Sequence, residues 1–230
     1  MKKTFIILLL LFVSFACYTV IININSKNMT LRQKLLKAVY PIFTWYSKLS
    51  GKSNKEIVNV SNKQPNTSFY SLSFQLNNGE VFNFKSFKGK KVLLVNTASN
   101  CGYTNQYDAL QELYENNKEH LIVLGFPAND FKEQEKGTDE EIAKFCKINF
   151  GVSFPLMKKS VVRKYPAQNI VFKWLSNKTE NGWCNKQPSW NFAKYIVNEN
   201  GTLTHYFDPA ISPLSNEIIK AIKNNYDSKN

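Results

Sequence analysis

Four of the 230 residues are cysteines, and one of them, Cys101, stands where a thiol can do chemistry. It lies in KVLLVNTASNCGYTNQY, residues 91–107. The run Val92, Leu93, Leu94, Val95 is continuously apolar, as in a strand buried on both faces. It ends in a small polar turn that delivers Cys101 just ahead of a helix. A cysteine at a helix N-terminus faces unpaired backbone N–H groups and the positive end of the helix dipole, which favour the nucleophilic thiolate. The same position also suits a small buried thiol that only packs, and this stretch leaves both readings open. His120 and His205 match no ligand pattern, so no metal is expected.

The elements that must position Cys101 follow from hydrophobic periodicity. Leu72, Phe74 and Leu76 alternate, Asn77, Asn78 and Gly79 turn the chain, and Phe82 and Phe84 alternate back, predicting a β-hairpin. After the strand 91–97 comes a helix over about 105–119, with Tyr107, Leu110, Leu113 and Tyr114 on one face. A second buried strand over 121–126 is ended by Pro127. Strand, helix and strand at this spacing form a right-handed crossover of a parallel sheet. Thr138 and Glu141 make a capping box, opening a helix with Ile142, Phe145 and Cys146 on its apolar side and Gly151 at its end. A short helix over 170–175 and strands over 192–197 and 202–207 follow, and Ser212 with Pro213 is expected to cap a last helix through Ile222. This order predicts an α/β domain of thioredoxin type with an N-terminal β-hairpin, over residues 68–230. Its active site belongs at the end of the first crossover strand, where Cys101 sits.

The formal charge of +13 is unevenly spread. Residues 1–64 carry ten Lys/Arg and one Glu, and residues 65–230 carry twenty basic and sixteen acidic side chains, so the basicity belongs to an N-terminal extension. No basic, aromatic-bearing module is present, which argues against a nucleic-acid partner, and an anionic membrane surface suits the extension better. Within residues 1–26, Lys2 and Lys3 precede an apolar run over 5–22, about the minimum for a spanning helix. Ser14 and Ala16 would also suit signal cleavage before Cys17; an uncleaved anchor is the expectation. Membrane or cell-envelope association follows, with the side of the membrane left open by charge. Residues 27–67 read as a basic amphipathic helix and a linker. Leu31, Leu35, Val39, Ile42, Phe43 and Tyr46 recur at helical spacing, and Pro41 is expected to kink or divide the helix. That stripe would lie on a bilayer or pack on the folded domain.

Three ordered motifs resemble those of the glutathione peroxidase family over most of residues 66–225: NTASNCGYTNQY, GFPANDFKEQEKGTDEEIAKFC at 125–146 and PSWNFAKYIV at 188–197. The resemblance implies a thiol peroxidase of the oxidative-stress response that reduces hydrogen peroxide or organic and lipid hydroperoxides. In it Cys101 is the peroxidatic cysteine, with Gln134, Trp190 and Asn191 as donors to the thiolate and to the leaving oxygen. Cys146 matches the resolving cysteine of members recycled by thioredoxin; if it only fills the Ile142/Phe145 stripe, glutathione or another small thiol must be the reductant. No cofactor is implied. The absence of the longer insertion found in tetrameric relatives implies a monomer. Many relatives have cysteine, glutamine and glycine where this chain has Ala128, Asp130 and Lys132, and lysine is frequent where it has Ser189. Cys184 lies outside the motifs and reads as incidental. A thioredoxin-like reductase would need a second cysteine where Thr104 stands, whereas a redox sensor without turnover would use Cys101 and Cys146 in the same way.

Overall fold

The computed structural model of the chain describes residues 2–23, 26, 29–50 and 56–223. Its centre is a five-stranded sheet of β1 (Glu56–Val58), β4 (Lys91–Thr97), β5 (Leu121–Pro127), β6 (Lys194–Val197) and β7 (Leu203–Phe207), in the order β1-β7-β6-β4-β5. β4 runs parallel to β5, with Lys91 opposite Leu121 and Thr97 opposite Pro127, and antiparallel to β6. The connection from β4 to β5 is α3 (Gln106–Asn117), the crossover expected from the sequence.

β4 is buried along its whole length because it has a core on each face. Leu93 and Val95 join a layer built with α3, α4 (Asp139–Phe150) and α7 (Asn216–Lys223). Val92 and Leu94 join a second layer containing Phe69, Phe84, Phe172 and Trp174. Phe172 and Trp174 come from α5 (Ile170–Leu175), followed by the short α6 (Lys178–Asn181). The hairpin of β2 (Ser73–Gln75) and β3 (Val81–Asn83) forms as expected, with Phe74 opposite Phe82.

α4 begins with the Thr138/Glu141 capping box and ends at Gly151, whose φ of 63° is the left-handed cap. The last helix starts later than expected. Ser212 Oγ accepts from Leu214 N–H in a turn, and Ser215 Oγ, 3.4 Å from Ile218 N, stands at the start of α7. Within the expected linker, Glu56, Ile57 and Val58 pair antiparallel with Phe207, Tyr206 and His205, so the sheet gains an edge strand from outside residues 68–230.

The two N-terminal helices are α1 (Lys2–Asn23) and α2 (Leu31–Ser50), packed against one another, with Asn23 Nδ2 donating to the Lys34 carbonyl (3.2 Å). α2 runs unbroken through Pro41. Of the expected apolar stripe, Leu31, Leu35, Ile42 and Tyr46 are 85%, 54%, 57% and 64% exposed, Val39 is half-buried, and the Phe43 side chain lies outside the described residues. The expected anchor lies in α1, most of whose first twelve side chains are outside the described residues. Among the described residues, no helix is long and apolar enough to cross a membrane.

Candidate active site

β4 stops at Thr97 and the chain turns tightly before α3. Thr104 shapes that turn: its hydroxyl oxygen accepts from Cys101 N–H (3.0 Å) and lies 2.9 Å and 2.8 Å from the Ala98 and Cys101 carbonyls. Cys101 is 1% exposed, and its Sγ accepts from Tyr103 N–H at 3.5 Å. α3 itself begins only at Gln106, so loop N–H groups, rather than the first turn of the helix, face the thiol. Burial pushes the thiol above its ordinary value of 9.0, while Tyr103 N–H, the Trp190 indole, the Asn191 amide and Gly102 N–H pull it down without overcoming the burial. The donors are those expected at the thiol; the desolvation that outweighs them comes from the packing around it.

Two of the three expected donors reach the thiol, and the third, Gln134, is tied to one of them. Asn191 is fully buried and its Nδ2 donates to Gln134 Oε1 (2.9 Å), while Trp190 and Asn191 both reach the Cys101 thiol. Asn96, on β4, holds this turn from beneath. Its Nδ2 donates to Trp190 O (3.0 Å), its Oδ1 accepts from Ala193 N–H (3.0 Å), and its own carbonyl accepts from Phe192 N–H (2.6 Å). A polar residue directly after the apolar run Val92 to Val95, still within the strand, was the signal that could have found it.

The backbone around the site is strained. Among the described residues, four non-glycine residues have positive φ, and three flank the donors: Lys132 (52°) and Glu133 (51°) just before Gln134, and Phe192 (66°) just after Asn191. A left-handed non-glycine residue costs about 1–2 kcal/mol, which the surrounding hydrogen bonds must offset. Asn100 N–H donates to Gln134 O (3.1 Å), Glu135 N–H to Asn129 Oδ1 (2.9 Å) and Val162 N–H to Asp130 Oδ2 (2.7 Å). The Asp130 and Lys132 departures thus sit in a loop pinned at several points.

Glu135 ties the two loops together. Its carboxylate, 2% exposed, accepts from Ser99 N–H (2.8 Å) and from the Ser99 hydroxyl (3.1 Å), two residues before Cys101. Burial pushes Glu135 up from 4.5 to about 7, the Ser99 bonds and Lys159 acting against it.

Cys146 lies on α4 in the same core layer as Cys101, and both are free thiols. It is fully buried and pushed up to about 12 by that burial, with the Tyr107 side chain beside it. The Tyr107 ring packs 5.4 Å from both Phe150, on the same helix, and Phe192, next to Asn191. Cys184 is buried in the opposite layer, its backbone N–H and carbonyl both bonded to the Asn181 amide.

Two cavities adjoin the site. One of about 10 Å³ is lined by Cys101, Gly102, Met29, Gln33, Leu36 and Lys37, room for about one water-sized molecule. The other, of about 540 Å³, is lined by Gln134, Glu135, Lys144 and Phe145. Gln33 and Ser99 line both and are joined by a hydrogen bond from Gln33 Nε2 to Ser99 O (2.9 Å).

The family model described as glutathione peroxidase matches residues 69–176. The chain is 43% identical over 150 residues to glutathione peroxidase-like peroxiredoxin 2 of Saccharomyces cerevisiae, covering 65% of this chain and 92% of that protein. It is likewise 43% identical over 151 residues to a glutathione peroxidase-like peroxiredoxin of Chlamydomonas reinhardtii, with the same shares covered. The crystal structure of Trgpx in apo form superposes with a TM-score of 0.53 at 31% identity, over 69% of this chain and 97% of that one.

Proposed function

The chain belongs to the glutathione peroxidase family of peroxidases, and we propose that it reduces peroxides through Cys101, resolves the product with Cys146 and is recycled by thioredoxin. The observation that carries this reading is the convergence of the Gly102 and Tyr103 N–H groups and the Trp190 and Asn191 side chains on one buried thiol, with Gln134 bonded to Asn191.

In the first step the Cys101 sulfur takes the distal oxygen of ROOH. The O–O bond breaks, the sulfur becomes a sulfenic acid, and the leaving oxygen departs as ROH with the thiol proton. Donors that hold the thiolate and meet the developing charge lower this barrier, and none of the Gln134, Trp190 and Asn191 side chains has to ionise. Asn191 Oδ1, buried with no hydrogen-bond partner, is an acceptor free to take the peroxide O–H. In the second step the Cys146 sulfur attacks the sulfenic sulfur, a disulfide forms and water leaves. Because Cys146 is buried within an intact helix, this step requires α4 to open locally. A dithiol protein then reduces the disulfide; the names of the yeast and algal relatives, peroxiredoxins, favour thioredoxin over glutathione.

The basic N-terminal segment associates the monomeric enzyme with a membrane, a reading supported by the apolar run over 5–22 and the exposed apolar residues of α2. Peptide mapping of the chain before and after one equivalent of peroxide tests the chemistry. A Cys101–Cys146 linkage that Cys146→Ser erases, and that thioredoxin reduces, is expected. An unreacted Cys101 refutes the peroxidase mechanism, and a sulfenic or sulfinic Cys101 beside a free Cys146 thiol refutes the resolving role.

A further inference from the structure

We propose that α2 is a two-sided docking element: its outward stripe meets an anionic lipid bilayer while its inward face grips the loop that carries Cys101. This deepens the membrane association proposed above and rests on it.

The inward face mixes polar groups with Leu36, which lines the small cavity at the thiol, and the Tyr40 ring. Gln33 donates to Ser99 O (2.9 Å), and the Tyr40 ring meets Tyr103 edge-on, with centroids 6.5 Å apart. Lys37 holds its ammonium 5.6 Å from the centroid of Phe150, at the end of the helix that bears Cys146. A third contact to the loop has a covalent origin. In an unbroken helix the Lys37 carbonyl would accept from the N–H four residues on, but that residue is Pro41, which has none. The carbonyl instead accepts from Asn105 Nδ2 (2.9 Å), and Asn105, at the start of α3, makes no side-chain cap bond to its own helix. α2 therefore holds the Cys101 loop at Ser99, Tyr103 and Asn105, and roofs the small cavity at the thiol.

The outward face is apolar and exposed on both sides of Ala38, which falls within the stripe and is fully buried. Leu31, Leu35, Ile42, Trp45 and Tyr46 are each at least 54% exposed, and α1 adds exposed Val20 and Ile21. Charge selects the occupant: Arg32 is exposed beside this stripe, α2 carries no acidic residue, and residues 1–64 hold ten basic side chains against one acidic. An amphipathic basic helix of this kind lies in the plane of an anionic lipid interface. The stripe is already presented while the inward contacts are made, so lipid gains nothing by undocking α2, and binding leaves the loop grip intact. Cys101 is then held about one helix diameter, roughly 10 Å, from the interface.

The test uses the full chain on phosphatidylglycerol/phosphatidylcholine vesicles with brominated acyl chains. Fluorescence of Trp45 is isolated by difference from Trp45→Phe, and Cys101 alkylation by iodoacetamide is followed by peptide mapping. Trp45 should be quenched, less so on pure phosphatidylcholine and in Leu35→Glu/Ile42→Glu. Alkylation of Cys101 should be equally slow with and without lipid, and about tenfold faster in Gln33→Ala/Tyr40→Ala or in Asn105→Ala. Failure to sediment with vesicles overturns membrane association itself; sedimentation without Trp45 quenching overturns only the role of α2, and equal quenching on neutral lipid overturns the charge selection. If lipid speeds alkylation to the rate of the variants, or if the variants react no faster than the parent chain, the two-sided dock is wrong. Alkylation needs no peroxide turnover, so these outcomes are independent of the peroxidase mechanism.

Discussion

Replacing Glu135 by glutamine should remove a pH dependence from the folding stability. The carboxylate is 2% exposed and its pKa lies at about 7 in the folded chain, against an ordinary 4.5. The folded state therefore keeps this proton through a range in which the unfolded chain has lost it, so folding favours the protonated form. The resulting stability is fully present below pH 4.5, declines as pH rises and is exhausted above about 7. The gap between 4.5 and about 7 is worth ~3 kcal/mol at ~1.4 kcal/mol per pH unit. A glutamine side chain at this position would keep a carbonyl acceptor for Ser99 N–H and cannot ionise. Urea denaturation of the parent chain and of Glu135→Gln at pH 5 and pH 8 should thus show the difference between them moving by ~3 kcal/mol in favour of the variant at the higher pH. Glu56 and Asp108, also pushed up by burial, titrate in both proteins and cancel in that difference. Parallel pH profiles for the two proteins, or a parent chain that gains on the variant at pH 8, would refute the assignment of a desolvated carboxylate at this point in the loop.

Two further outcomes are expected. Gln134→Ala and Asn191→Ala should each lower the rate of Cys101 oxidation about 100-fold, measured by stopped flow with hydrogen peroxide. Because the two amides are bonded to each other, the double variant should lose less than the product of the single losses. Thr138→Ala removes the acceptor for Glu141 N–H and opens the capping box of α4, at a cost of about 1 kcal/mol, read as a fall in Tm of about 2–4 °C.

Much of this architecture was legible in residue patterns. β4 and β5 are continuous apolar runs because both their faces are covered, and Thr138, Glu141 and Gly151 each have a side chain or a conformational freedom suited to a single place in a helix. The donors around Cys101 were legible only through motif resemblance, since a glutamine in a loop and a Trp-Asn pair before a strand carry no periodicity. What escaped depends on contacts between distant segments. Ile57 and Val58 form too short a run to announce a strand, and only the neighbouring β7 makes them one. In α2 the apolar stripe was visible, but the docking face is set by Gln33, Tyr40 and a carbonyl released by Pro41, none of which a hydrophobic pattern can weigh. The direction of the Cys101 shift escaped for a related reason: donors can be read from a motif, whereas desolvation is a property of everything packed around it.

The short strand β1 bears on how the catalytic domain can be cut free. β7 has β6 on one side, and on its other side, among the described residues, Glu56, Ile57 and Val58 pair with it while Asn59 donates from its N–H to Thr204 O (2.8 Å) and from Nδ2 to Leu203 O (3.1 Å). A fragment starting at residue 68 keeps the whole family-matched segment and the bond from Trp183 Nε1 to Leu203 O, yet loses the partners of β7 from Thr204 to Phe207, and an open edge strand is a template for pairing with a second molecule. Such a fragment is set up to aggregate edge to edge, while one starting at Glu56 carries its own edge protection.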